Sequence, residues 1–401
     1  APAEVTVELP FTTIEPFVTT AEANDAVVAA NRVARNVTIR DGDDHWTIPA
    51  ATIRSWITFR PTPTGGFGPI VDTTQVDKAL APVTAAVARS PKNASFQTSG
   101  AKVVGVLPSK NGRALDRKAT AARVADLLTA RAGGTSSGDV AAVVSVTTPA
   151  LTTAAAQTFA GKMRPISSFS VFYWVLVNNH WGGNIEAPAT KINGTVVPAG
   201  ATFDFWRDVG DLRKLPGTGP GNAIEGGKIT VTGAFGGGIC TTSTTLFNAA
   251  FRAGMVPLAR KNHNEFINRY PPGLDATVWI VGKTKQTMSF KNDTKYPILI
   301  TRTVTQDGTK RWLTFKIWSV PNGRTYKISD TVIRHGPRAI DTVVRDPTKP
   351  VGYFYRNNAP ADGAKVWVTV SIYDHGKLHW TERYFSNYPA VNGVLVKGTR
   401  T

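Results

Sequence analysis

Apolar and polar residues alternate most plainly in Trp312-Leu313-Thr314-Phe315-Lys316-Ile317-Trp318 and in Val366-Trp367-Val368-Thr369-Val370. A period of two is that of a strand with one buried face. Similar runs predict strands at 286–290, 297–304, 311–318, 324–328, 365–373 and 377–384, with Asp374-His375-Gly376-Lys377 as a hairpin turn. The first 150 residues mix both periods. They predict helices at 20–34, 50–55, 74–89 and 118–131 and strands at 36–40, 45–48, 56–60, 94–97, 103–106 and 140–147. Loops rich in Gly or Pro fall at 61–69 and 133–138. The class is α+β.

One local pattern occurs twice, 133 residues apart. Pro16-Phe17-Val18-Thr19-Thr20-Ala21-Glu22-Ala23 and Pro149-Ala150-Leu151-Thr152-Thr153-Ala154-Ala155-Ala156 each follow a β-like run, Val5 to Leu9 and Val143 to Val146. In each, a threonine is placed to cap an Ala-rich helix. The chain reads as one module of about 130 residues and the start of a second, or as a reused cap.

Composition narrows the function classes. The chain has 401 residues, 42% of them hydrophobic, enough for packed cores and too many for a disordered chain. The longest apolar run, Phe169 to Val177, is too short to span a bilayer, and Ala1-Pro2-Ala3-Glu4 carries no signal-peptide features. Scarce Cys and Met and abundant Thr, Ala, Val and Gly lean toward an exported protein. The net charge is +18, with 29 Lys+Arg against 15 Asp+Glu in residues 166–401. A basic surface attracts polyanions, here an acidic envelope polymer rather than nucleic acid, because no Lys/Arg block or nucleic-acid motif is present. A single cysteine excludes an intrachain disulfide and Cys-rich metal sites.

That cysteine carries the densest signal. Gly236-Gly237-Gly238-Ile239-Cys240-Thr241-Thr242-Ser243 opens a helix that ends at Gly254, with Pro257 beyond. Free N–H groups at a helix start favour a thiolate and can hold an oxyanion. The alternative is a buried structural thiol, since Cys240, Thr244, Phe247 and Phe251 share one helical face. A nucleophile needs a base and a group that orients the base. His263 follows 23 residues later, and Asp275 12 after that. A helix, a strand bearing His263 and a neighbouring strand bearing Asp275 would unite Cys240, His263 and Asp275 as a catalytic triad. Gly236, Gly237, Gly238, Thr241, Ser243, Arg260 and Asn262 are expected to line the binding site. The order also matches the transglutaminase-like arrangement by analogy. No cofactor is expected, and a metal site at Cys240, His263 and Asp275 ranks behind a thiol site.

Residues 184–300 resemble a VanW domain. The pieces are Asn184-Ile185, Ile192 to Gly200, Phe203-Asp204-Phe205, Gly238-Ile239-Cys240, Arg260 with Asn262-His263, Tyr270-Pro271-Pro272-Gly273, Asp275-Ala276-Thr277-Val278 and Phe290-Lys291-Asn292-Asp293. The sequence departs from the family pattern where Thr241 stands for the Gln that often follows the cysteine. Residues 15–150 resemble the peptidoglycan-binding domain found upstream of L,D-transpeptidases and VanW-family proteins, through Thr19 to Ala23, Val37 to Asp43, Pro91 to Phe96 and Gly112 to Asp116. The expected organisation is a peptidoglycan-binding-like module at 1–150, a connector at 151–183, a VanW domain at 184–325 and a β-rich extension at 326–401. The resemblance implies an extracellular cell-envelope protein that binds peptidoglycan or an anionic wall polymer. It is either a cysteine-dependent acyltransferase or amidase acting on wall peptides, or a non-catalytic wall-binding scaffold. A metal-assisted amidase is the third possibility.

Overall fold

The computed structural model describes residues 3–61, 66–135, 138–175, 180–225, 228–358 and 360–401. Parts of the expected loops at 61–69 and 133–138, and of the apolar run ending at Val177, fall outside those residues. The chain forms two compact units. One comprises Ala1–Lys92 and Lys110–Pro149; the other comprises Asn93–Ser109 and Ala150–Thr401.

The first unit is built largely as the periodicity predicts, with three corrections, of which the first is that the expected strand at 140–147 is two short strands, Val140–Ala141 and Val144–Thr147, in different sheets. Helix Thr20–Val33 begins in a capping box: the Thr19 side chain accepts from Glu22 N–H, and Glu22 accepts from Thr19 N–H. This helix packs against strand Phe67–Val71 and helix Arg117–Ala132, and the latter also contacts Val140–Ala141, the edge of a sheet completed by Val37–Asp41 and Asp44–Ile48. Val33, Ile39, Ile53, Leu80, Val124 and Leu128 fill the core. The expected helix at 74–89 is broken into a 3-10 turn, Thr73–Gln75, and helices Val76–Ala79 and Ala81–Val87. Pro82 lies in the first turn of the last piece, where its missing N–H costs nothing but ends any helix running into it. The β-like run Val5 to Leu9 forms no strand; it is exposed and has no pairing partner among the described residues.

The second unit has a central antiparallel sheet in the order Arg164–Trp174, Lys310–Ser319, Ile298–Asp307, Val196–Val197. Alternation puts Val171, Tyr173, Leu313, Phe315 and Ile317 on its inner face. Helices Trp181–Ile192 and Cys240–Arg252 pack against that face. The second helix is buried along its whole length from Thr241 to Phe251, so it is a core helix and not one with a single apolar stripe. A small sheet of Thr202–Asp204, Ser289–Lys291 and Val256–Ala259 flanks it. Strands Ala364–Asp374 and Lys377–Tyr388 form a long hairpin whose Val368, Val370 and Tyr384 join the same core. A last sheet holds Asp341–Pro350, Gly393–Arg400 and Phe354–Asn358. The repeated cap also recurs here, as Thr152 accepts from Ala155 N–H at the start of helix Thr153–Ala160.

Candidate functional site around Cys240

Cys240 is the first residue of its helix. The turn before it works only with glycine. Gly236 has φ +87 and Gly238 φ +105, a region closed to most L-residues, and a Cβ on Gly238 would meet the Trp181 carbonyl oxygen at 3.1 Å. Asn184, fully buried on the neighbouring helix, clamps this turn. Its amide donates to Gly219 O and Gly237 O, both at 2.9 Å, and its Oδ1 accepts from Gly219 N–H at 3.0 Å. The Cys240 N–H has no acceptor among the described residues.

Cys240 as a residue is partly exposed, while its sulfur is surrounded by protein groups. The sulfur lies 3.4 Å from the Thr277 hydroxyl, the Val278 carbonyl and the Val278 N–H. The His263 ring stands within electrostatic reach of it. Burial opposes ionisation of the thiol, but His263, Thr277 and the Val278 N–H outweigh it and hold Cys240 below the ordinary thiol range. Burial likewise disfavours a charged His263, yet Cys240 and Asp275 raise it well above the usual imidazole value. Both directions favour the charged form of each group over the neutral one.

Asp275 gathers four donors. Its Oδ2 accepts from His263 N–H and from His263 Nδ1, each at 2.6 Å. Its Oδ1 accepts from Arg260 Nη2 at 2.9 Å and from the Tyr388 hydroxyl at 2.5 Å. Asp275 is 3% exposed. Burial alone would raise its pKa; His263, Arg260 and Tyr388 together bring it down to about 2. With Nδ1 given to the carboxylate, the other ring nitrogen is the one left for the thiol.

The structure therefore brings Cys240, His263 and Asp275 together, but not on the expected strands. Both His263 and Asp275 lie in irregular chain between strands Val256–Ala259 and Trp279–Val281. The Thr277 N–H to Lys261 O bond, 2.8 Å, ties the two segments, and Ser243, Thr244 and Asn248 on the helix hold Ala276 O and Leu274 O. Polar side chains thus replace a ladder as the means of register.

The expected lining residues divide by position. Gly236 and Gly237 are buried, and Gly238 is partly exposed beside the thiol. Thr241 and Ser243 are fully buried, with hydroxyls on the Tyr270 hydroxyl at 3.0 Å and on Ala276 O at 2.6 Å. Arg260 faces inward, bonding Asp275, Gly273 O and Ser386. Asn262 bonds His263 O and Asn387 O. Tyr388 and Ser386 are supports that sequence reasoning missed, and Asn184 enters that reasoning only as part of the family pattern. A polar groove of about 370 Å³, lined by Leu258, Lys261, Gln286 and Arg383 among others, opens on the Arg260 side and touches neither Cys240 nor His263. Among the described residues no three His, Cys, Asp or Glu side chains gather to hold a metal.

Two family models match the chain. Residues 182–318 match the family model described as "VanW like protein", and residues 17–136 match the one described as "Putative peptidoglycan binding domain". The chain is 36% identical over 130 residues to the uncharacterized protein YoaR of Bacillus subtilis, covering 32% of this chain and 41% of that protein. It is 29% identical over 128 residues to the vancomycin B-type resistance protein VanW of Enterococcus faecalis, covering 29% of this chain and 44% of that one. The matches thus span less than half the length of either relative. An Enterococcus faecium L,D-transpeptidase C442S mutant aligns at 14% identity over 37% of this chain and 56% of that one, with a TM-score of 0.19, too low to carry an argument. The chain carries a VanW-like domain, preceded in sequence by a domain of the peptidoglycan-binding type.

Proposed function

We propose that this protein works in the bacterial cell envelope, outside the membrane. It binds peptidoglycan or an associated wall polymer, and it uses Cys240 as a nucleophile on an amide of a wall peptide. The binding half of this reading is supported by the peptidoglycan-binding-type domain and by the VanW relatives. The catalytic half is carried by one observation: His263 Nδ1 is fixed on a buried carboxylate, and the same ring stands within electrostatic reach of the thiol at a helix start.

The chemistry follows. Sγ of Cys240 adds to the amide carbonyl carbon, and the oxyanion lies against the Cys240 N–H and the glycine turn. The C–N bond breaks, His263 gives its proton to the leaving amine, and a thioester remains on Cys240. Water or a second amine then adds to the thioester, loses a proton to His263, and releases the thiolate. Hydrolysis or acyl transfer results according to which nucleophile enters. Thr241, with its hydroxyl turned to Tyr270, supplies no side-chain amide to the oxyanion, so the backbone carries that task.

Alkylation by iodoacetamide tests the catalytic half. Cys240 should react with an apparent pKa well below the free-thiol value of about 8.5, and His263→Ala should raise it toward that value. A thiol that is inert, or indifferent to His263→Ala, defeats it. The second reading is a non-catalytic wall binder, favoured by the three groups that hold the sulfur from the Thr277–Val278 segment, as they would a structural thiol. In that case Cys240→Ala retains full sedimentation with purified sacculi, and sacculi treated with the protein show no cleaved or exchanged peptide.

A further inference from the structure

Beside the triad lies a cluster that the mechanism above does not use. Trp181 covers the glycine turn, its ring 3.2–3.3 Å from where a Gly238 Cβ would sit. The Arg269 guanidinium lies 5.5 Å from the Trp181 ring centroid and 4.7 Å from that of Tyr270. Tyr270 in turn lies 5.5 Å from the His263 ring, and its hydroxyl joins Arg269 Nη2 at 3.1 Å to Thr241 at 3.0 Å. Arg269 is therefore connected to two members of the triad, through Trp181 to the turn before Cys240 and through Tyr270 to His263. Glu265 stands within electrostatic reach of both His263 and Arg269.

Arg269 and Glu265 have opposite charge but make no ion pair with each other among the described residues, and Arg269 Nη2 donates instead to a neutral phenol. Arg269 Nε and Glu265 Oε2 are both buried without a partner among the described residues. Such a group costs about 1–3 kcal/mol when left unmatched. A guanidinium already stacked on two rings is a pre-organised fork for a carboxylate. The unmatched oxygen of the Glu265 carboxylate asks for a cationic donor.

We propose that Arg269 and Glu265 form a subsite for an amino-acid centre bearing both a free ammonium and a free carboxylate, held beside the bond that Cys240 attacks. A ligand with only one of the charges leaves the other buried group unpaired, and that is the source of discrimination. The role of the subsite rests on the thiol reading above; its ligand chemistry does not.

Protection of Cys240 from iodoacetamide tests it, with alanine, N-acetylalanine and alaninamide as probes. Each rate is compared with the same variant's unprotected rate. Alanine should protect, and the two singly charged probes should not. Arg269→Met and Glu265→Gln should each raise the half-protecting concentration of alanine about tenfold, as expected for losing one charge-assisted pair. Arg269→Lys, which keeps the charge and loses the fork, should recover part of that loss. Equal protection by all three probes, protection by none, or variants that protect like the parent overturn the subsite. If the thiol is inert, the catalytic reading fails by itself, and calorimetric titration of the three probes decides the subsite: binding of alanine alone supports it, and any other pattern overturns it.

Discussion

Replacing Asp275 by Asn probes the support of the site most directly. The carboxylate accepts four hydrogen bonds, two on each oxygen. Asn offers one acceptor oxygen and one NH2, so whichever way it turns, two donors lose their acceptor. The pKa of Asp275, down from 3.8 to about 2, gives the worth of the charge. A fall of almost two units corresponds to about 2 kcal/mol of stability near neutral pH. Arg260 is 4% exposed at its side chain and is left as an unpaired buried cation. Removing one partner of such a pair typically costs about 3–5 kcal/mol, which includes the first figure and is not added to it. Urea unfolding followed by tryptophan fluorescence reads this unit well, because eight of the ten tryptophans lie at or beyond Trp174. With a slope near 3 kcal/mol/M, the midpoint of Asp275→Asn should fall by more than about 1 M. The pH dependence has a definite sign. A depressed carboxyl pKa gives stability that is complete above the unfolded value of about 4 and is lost as pH falls toward about 2. The gap between parent and variant should therefore narrow by about 2 kcal/mol across that window. Equal midpoints near neutral pH, or a gap constant down to the lowest pH at which both fold, would refute the reasoning.

Two further predictions concern the glycine turn. Asn184→Ala strips three hydrogen bonds from Gly219 and Gly237 in a fully buried position, and should cost about 2–3 kcal/mol in the same urea assay, with slower alkylation of Cys240. Gly238→Ala forces a Cβ at φ +105 against the Trp181 carbonyl and should destabilise by about 1–3 kcal/mol, again with loss of thiol reactivity. A variant at either position with unchanged midpoint and alkylation rate would show that the turn does not position the sulfur.

The sequence made the setting of Cys240 at a helix start legible because its signals are local. Three glycines, a hydroxyl-rich start and a terminating Gly254 mark a helix boundary without tertiary information. His263 and Asp275 were legible by order, and by the resemblance, but their setting was not. Their segments carry Asn, Pro and Gly and form no strand; helix side chains fix them instead. Tyr388 was out of reach because its partner Asp275 lies 113 residues away and nothing in Tyr388-Pro389 announces a buried hydroxyl. Helix Trp181–Ile192 was hidden by Gly182, Gly183 and Pro188, all poor helix residues, although Gly183 is there because a Cβ would strike Gly217 O. Thr241 and Ser243 read equally well as ligand hydroxyls or internal ones, and burial alone separates the two. The opposite error, a strand at Val5 to Leu9, came from alternation that no neighbouring strand accepts.

The support for Asp275 extends beyond residue 318, where the family match ends. Ser386 and Asn387 O accept from Arg260 and Asn262, and Tyr388 donates to Asp275, all from one strand of the hairpin. The other strand backs the Gly273 turn, where a Cβ would lie 2.9 Å from Val366 and 3.0 Å from Val368. Val368, Val370 and Tyr384 also fill the core that surrounds the Cys240 helix. A chain truncated after residue 325 would lose a donor to the carboxylate, two anchors of the His263 segment and one wall of the core. Burying three such side chains is worth about 5 kcal/mol or more, comparable with the whole stability of an ordinary domain. The truncated chain should therefore bind a hydrophobic dye, lose its near-ultraviolet circular dichroism, and alkylate at Cys240 with the pKa of an unfolded thiol. If it instead kept a sharp urea transition and a depressed thiol pKa, the β-rich segment would be an appendage. The packing makes it part of the site.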